Sequence, residues 1–183
     1  RGFFHCKIEE DKMKYKRNHI VSIYGSGKST LAKKLSEKLK YKVYDLDKIK
    51  YKREYDLIRD VNDRIKMIKR ISNEGTWITE GTWLDYALPL YKKADLVILL
   101  VMQKNMLYLR ILKRFIRRKL SKKGYLQNTI KSTTKMIQKV KQYYGGNSFI
   151  TLEKHINYIK KYSKKYKIIQ NKKQINEFLN SIK

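Results

Sequence analysis

Acidic side chains are scarce. The 183 residues hold 16 Asp and Glu against 45 Lys and Arg, a formal charge of +29 with the three histidines neutral. A surface this basic attracts nucleic acid and anionic lipid at low salt through counterion release, so non-specific nucleic-acid binding is expected whatever the function. Two readings of the charge stand side by side: a basic surface selected for anionic partners, or an A- and T-rich genome, which also explains the excess of Lys over Arg and the many Tyr, Ile and Asn residues. Long apolar runs are missing too. The longest, Leu96 to Met102, falls far short of the about 20 residues that cross a bilayer, so no membrane partner is expected. Arg1 to Asp11 contains Phe3 and Phe4 but no continuous apolar segment, which does not read as a secretory leader. The single cysteine, Cys6, excludes an internal disulfide and fits a reducing, cytoplasmic setting. Together with His5, His19 and His155 it shows no metal-ligand spacing.

Proline occurs once, at Pro89, and no Pro-rich or Gly/Ser-rich linker, repeat or composition shift marks a domain boundary. What is present suffices for one core: 42% hydrophobic and 12% aromatic residues. Residues 1–17 are charged and unpatterned and read as a poorly ordered extension, leaving 18–183 as a single domain. There, short apolar runs alternate with amphipathic stretches, the pattern of an α/β protein with a mainly parallel sheet. Strands are expected at 19–23, 42–45, 76–80, 95–101 and 166–170. Helices are expected around Leu31, Leu35 and Leu39; around Ile65, Ile68 and Ile71; through Leu107, Ile111 and Phe115; around Ile137 and Val140; around Ile156 and Ile159; and over 174–182.

The one strong motif follows the first strand and opens the first helix: Gly25-Ser26-Gly27-Lys28-Ser29-Thr30. Glycines let backbone N–H groups turn inward around phosphate oxygens, and the helix that follows points its positive end at the same anion. Lys28 would reach the β- and γ-phosphates of ATP, the Ser29 hydroxyl would complete a Mg²⁺ shell, and Thr30 would add a hydroxyl near the α-phosphate. One position departs from the pattern G-x-x-x-x-G-K-[ST], which asks for glycine where this chain has Ser22. If that position needs a positive φ, the β-carbon strains the loop and lowers nucleotide affinity.

The run His19 to Leu39, then Val43-Tyr44-Asp45-Leu46-Asp47, Trp77-Ile78-Thr79-Glu80-Gly81, Ala94 to Leu99 and an Arg-rich helix resembles, in that order, the adenylate-kinase-like P-loop proteins of the DNA topology modulation protein family. The resemblance spans about residues 18–180. It implies a P-loop NTPase fold of the nucleoside and nucleotide kinase type, a parallel five-stranded sheet in the order 2-3-1-4-5 with helices on both faces. It also implies ATP-dependent phosphoryl transfer to a small acceptor, foremost a nucleoside or nucleotide. The family name implies an effect on DNA supercoiling. A basic nucleic-acid-binding protein with a regulatory or vestigial phosphate loop, and a kinase acting on polynucleotide ends, are the alternatives.

The remaining site residues take their roles from that frame. Asp45 and Asp47 stand at the end of the second strand, where open α/β sheets bind ligands, and only one of them is expected to face the site. The resemblance makes Asp47 a substrate-side residue or catalytic base; the other reading is a cap for a helix starting near Lys48. Glu80 stands where the family has Asp before glycine, its carboxylate reaching about 1.5 Å further, as an acidic partner of the metal water or of the acceptor. Gly81 would let the backbone pass close to the acceptor. Arg110, Arg114 and Arg117 or Arg118 share one helical stripe, suited to stabilising charge on the transferred phosphoryl group, or else a solvated basic face. That helix would lead into a lid near 110–127, with Ser121 to Tyr125 as its hinge or tip. Trp83 either stacks on a base or packs in the core.

Overall fold

The computed structural model describes residues 15–52, 57–120, 129–146, 148 and 150–182; residues 1–14 of the expected extension and the expected lid tip, Ser121 to Tyr125, lie outside them. Five strands build one parallel sheet: β1 (Arg17–Val21), β2 (Val43–Asp45), β3 (Trp77–Gly81), β4 (Leu96–Leu100) and β5 (Tyr166–Ile169). Their order is β2-β3-β1-β4-β5, the order expected. Every neighbouring pair is parallel, with Val21 level with Gly81 and with Leu99. β1 starts two residues earlier than its apolar run because Arg17 is anchored: its backbone N–H donates to Asp95 Oδ2 at 2.9 Å and its guanidinium to Asp95 Oδ1 at 2.7 Å. Arg17 therefore belongs to the sheet and not to an extension.

Parallel strands covered on both faces need apolar side chains on both, and the whole of β4 is buried. Successive residues feed opposite layers. Ile20, Ile78 and Ile98 join Leu31 and Leu35 of α1 (Lys28–Leu39), Leu107 and Ile111 of α5 (Lys104–Leu120), Val140 of α6 (Thr129–Gly145) and Phe178 of α8 (Lys172–Ser181). Val21, Trp77, Val97 and Leu99 join Leu46 and Ile49 of α2 (Leu46–Lys50), Ile68 and Ile71 of α3 (Val61–Ser72), Leu90 and Tyr91 of α4 (Leu88–Lys93) and Ile159 of α7 (Leu152–Tyr162). Each of these side chains, fully buried, contributes about 2 kcal/mol of transfer free energy. The helices α2 and α4 were not legible in the apolar spacing; both are a turn or so long and sit at strand ends. Among the described residues no helix is long and apolar enough to cross a membrane.

Candidate active site

The loop between β1 and α1 takes its shape from two glycines. Gly25 has φ 78° and Gly27, which caps α1, φ 94°, the left-handed region that L side chains avoid. A β-carbon on Gly25 would also stand 3.1 Å from the Leu107 carbonyl at the start of α5. No side chain caps α1, so its first-turn N–H groups are left to a ligand at the positive end of the helix. Ser22 is not a strained position: its φ is not positive. It is buried, its Oγ donates to the Leu100 carbonyl at 2.5 Å, and its own carbonyl accepts from Thr82 Oγ1 at 2.6 Å. The strain expected there is absent, because the serine hydroxyl pins the end of β1 to the end of β4.

Lys28, Ser29 and Glu80 converge. The Ser29 hydroxyl donates to Glu80 Oε1 at 2.6 Å, and Lys28 Nζ lies 3.5 Å from Glu80 Oε2. Glu80 is 4% exposed, and burial raises its pKa above the ordinary carboxylate value against the pull of Lys28 and Ser29, with the charges of Asp45 and Asp47 adding to the rise. Its Oε2 accepts no hydrogen bond from the described residues. A hydroxyl and a buried carboxylate oxygen with accepting capacity in reserve fit a hard cation such as Mg²⁺, which keeps several waters and shares phosphate oxygens. No cluster of three His, Cys, Asp or Glu side chains forms among the described residues, and that mode of binding needs none. Thr30 is exposed on the same first turn of α1, and the Ser26 hydroxyl is buried with no partner among the described residues.

The two aspartates part company because only Asp45 belongs to β2; Asp47 already lies on the first turn of α2. Asp45 caps α2, its Oδ1 accepting from the Asp47 backbone N–H at 2.8 Å. The cap is thus Asp45 and not Asp47, and the helix begins at Leu46. Asp45 also lines, with Ser29, Lys48 and Glu80, a cavity of ≈ 500 Å³ that runs along α1 past Lys33 and Glu37 to Val43. Asp47 turns the other way, and its Oδ1 accepts from the indole N–H of Trp83 at 2.9 Å. A β-carbon on Gly81 would meet Leu46 at 2.6 Å, so glycine lets α2 close onto β3.

Beyond Asp47 lies a cationic corner that the sequence reading did not single out. Arg64 of α3 is 9% exposed, its guanidinium 5.0 Å above the Tyr86 ring and its Nε without a partner among the described residues. Lys50 Nζ stands 3.4 Å above the Trp83 ring. Partial burial and then the nearby Arg64 charge push the Lys50 amine below its ordinary value. The signal was present in the sequence: Arg64 falls on the buried stripe of α3 with Ile68 and Ile71, a charge where an apolar residue belongs.

The arginine stripe divides. Arg110 Nη1 donates to the carbonyls of Gly25 and Ser26 at 3.1 and 3.0 Å, so this guanidinium holds the loop. Arg114 and Arg117 are exposed and form no hydrogen bond or ion pair among the described residues. Trp83 is half-buried, stacked on Tyr86 with ring centroids 6.1 Å apart.

The shikimate kinase family model matches residues 24–65, from the phosphate loop through Asp45 and Asp47 to the first turn of α3. No curated protein sequence matches the chain. Among solved structures, shikimate kinase from Bacteroides thetaiotaomicron is similar at 15% identity and a TM-score of 0.54, covering 91% of this chain and 95% of that one. Shikimate kinase from Acinetobacter baumannii, solved in complex with shikimate, is similar at 14% identity and a TM-score of 0.53, covering 92% and 90%. The likeness over nearly the whole chain, the strand order and the phosphate loop together show that this chain has the P-loop kinase fold.

Proposed function

We propose that this protein is an ATP- and Mg²⁺-dependent kinase for a small hydroxylated acceptor that carries an anionic group. The observation that supports it most is the convergence of Lys28, Ser29 and Glu80 at the strand ends, with Asp47 on one side and the Arg64–Lys50 corner behind it. The first-turn N–H groups of α1 and Lys28 bind the β- and γ-phosphates of ATP. Ser29 and Glu80 would hold Mg²⁺, which would neutralise charge on the transferred phosphoryl group. Asp47 accepts the proton of the acceptor hydroxyl as that oxygen bonds to the γ-phosphorus and the bond to the bridging oxygen breaks, releasing ADP.

Arg64 and Lys50 narrow the acceptor class. Two cations held close together on aromatic faces, one with an unpartnered buried N–H, are suited to a carboxylate or phosphate on the acceptor. A hydroxy acid or a nucleotide meets that demand; an uncharged nucleoside does not. The cavity at Glu80 also disfavours a polynucleotide end as acceptor, since three carboxylates (Glu37, Asp45, Glu80) face two ammonium groups (Lys33, Lys48) along it. The test is ADP release from Mg·ATP with panels of hydroxy acids, nucleotides and uncharged nucleosides. Turnover with an anionic acceptor, its KM raised about tenfold or more by Arg64→Met, is expected. Turnover confined to uncharged nucleosides contradicts the anionic class.

A further inference from the structure

We infer that Trp83 is a positioning residue that orients the carboxylate of Asp47 toward the acceptor. The inference rests on the kinase reading above and names a part for a side chain that this reading leaves idle. Asp47 sits on the first turn of a five-residue helix, a short element that on its own does little to fix a side chain. Two contacts supply what the helix lacks. Its backbone N–H is tied to Asp45 Oδ1. Its Oδ1 takes the indole N–H at 2.9 Å. Its Oδ2 has no hydrogen bond among the described residues, which leaves one carboxylate oxygen for an incoming hydroxyl.

The indole is itself held. Trp83 stacks on Tyr86 at an interplanar angle of 26°, and the Tyr86 hydroxyl donates to the Leu46 carbonyl at 3.4 Å, next to Asp47 in the chain. Lys50, one turn beyond Asp47 on α2, lies 3.4 Å above the Trp83 ring. A cation over the π-face draws electron density from the ring and makes the indole N–H a better donor to a carboxylate. Asp47, Trp83, Tyr86 and Lys50 thus form a closed set in which each rigid ring fixes the next group. With its ring engaged by Lys50 and Tyr86, Trp83 is poorly placed to stack on a base.

The experiment has two arms on the full chain. The first reads geometry without activity, in ¹H–¹⁵N spectra of the two tryptophan indoles. The Trp83 signal is the one lost in Trp83→Phe. In Asp47→Ala it is expected to move to the position of an unbonded indole, while the Trp77 signal stays. A Trp83 signal unmoved by Asp47→Ala overturns the inference whether or not the protein is a kinase. The second arm compares wild type and Trp83→Phe with Mg·ATP and the acceptor found active. The expected result is a kcat lowered between about ten- and a hundredfold with KM for ATP unchanged, and a melting temperature that stays close to wild type. Equal kcat in the two proteins overturns the positioning role. A wild type that turns over no acceptor at all defeats the kinase reading instead, and the first arm still decides whether Trp83 holds Asp47.

Discussion

Ser22 stands at the position where the phosphate-loop pattern has glycine, and its surroundings show why a serine is stable there: the hydroxyl is buried and bonded to the Leu100 carbonyl, and the backbone needs no positive φ. Restoring the pattern is therefore expected to harm the protein. Ser22→Gly removes a buried donor and leaves that carbonyl unmet, which costs about 1–2 kcal/mol. Urea unfolding should show the loss, while titration of Mg·ATP should show no gain in affinity; tighter binding in the glycine variant contradicts this account of the loop. At this scale the sequence was legible where a motif fixes spacing, as for Lys28 and Ser29. It was silent where the partner comes from a distant segment, as for Trp83 on Asp47 or Ser22 on Leu100.

Elements explain why the arginine stripe of α5 splits. Leu107 and Ile111 bury one face of the helix, and the close approach of Gly25 to Leu107 brings Arg110 onto the loop carbonyls, while Arg114, a turn further on, leaves the loop behind. Helical spacing showed that the side chains share a face, but not where the loop ends along it. The expected outcome is that Arg110→Ala weakens Mg·ATP binding about tenfold by loosening the loop, whereas Arg114→Ala stays within about twofold. Equal losses in the two variants contradict the division of roles. The five strands were readable because parallel strands covered on both faces show as continuous apolar runs. Helices of one turn, such as α2, carry too few residues to show a period, so the helix that bears Asp47 entered only as one of two readings, with its start and its cap two residues late.

Two buried imidazoles stitch elements of the molecule together. His155 lies between the hydroxyls of Tyr91 and Tyr143, 3.1 Å from each, which ties α7 to α4 and α6. His19 is 2.8 Å from Thr79 Oγ1 and packs edge-on against Tyr91. Burial pushes the pKa of His19 down to about 3, with the neighbouring His155 adding to the shift, and that of His155 down to about 4. Both folded values lie below the ordinary 6.5, so from about pH 6.5 downward the unfolded chain takes up protons that the folded chain refuses. Stability should be unaffected by these groups above pH 7 and fall as the pH drops from 6.5 toward 4. Urea midpoints between pH 7.5 and 5 measure this, and His155→Gln should make the slope shallower; an identical slope in the variant contradicts the assignment.

The claim on which the rest depends is that the loop binds nucleotide. Calorimetric titration of Mg·ATP into wild type and Lys28→Ala, at about 0.3 M salt to screen the +29 charge, tests it most directly. Saturable binding that Lys28→Ala weakens tenfold or more is expected. No saturable binding by the wild type, or equal affinity in the two proteins, contradicts it.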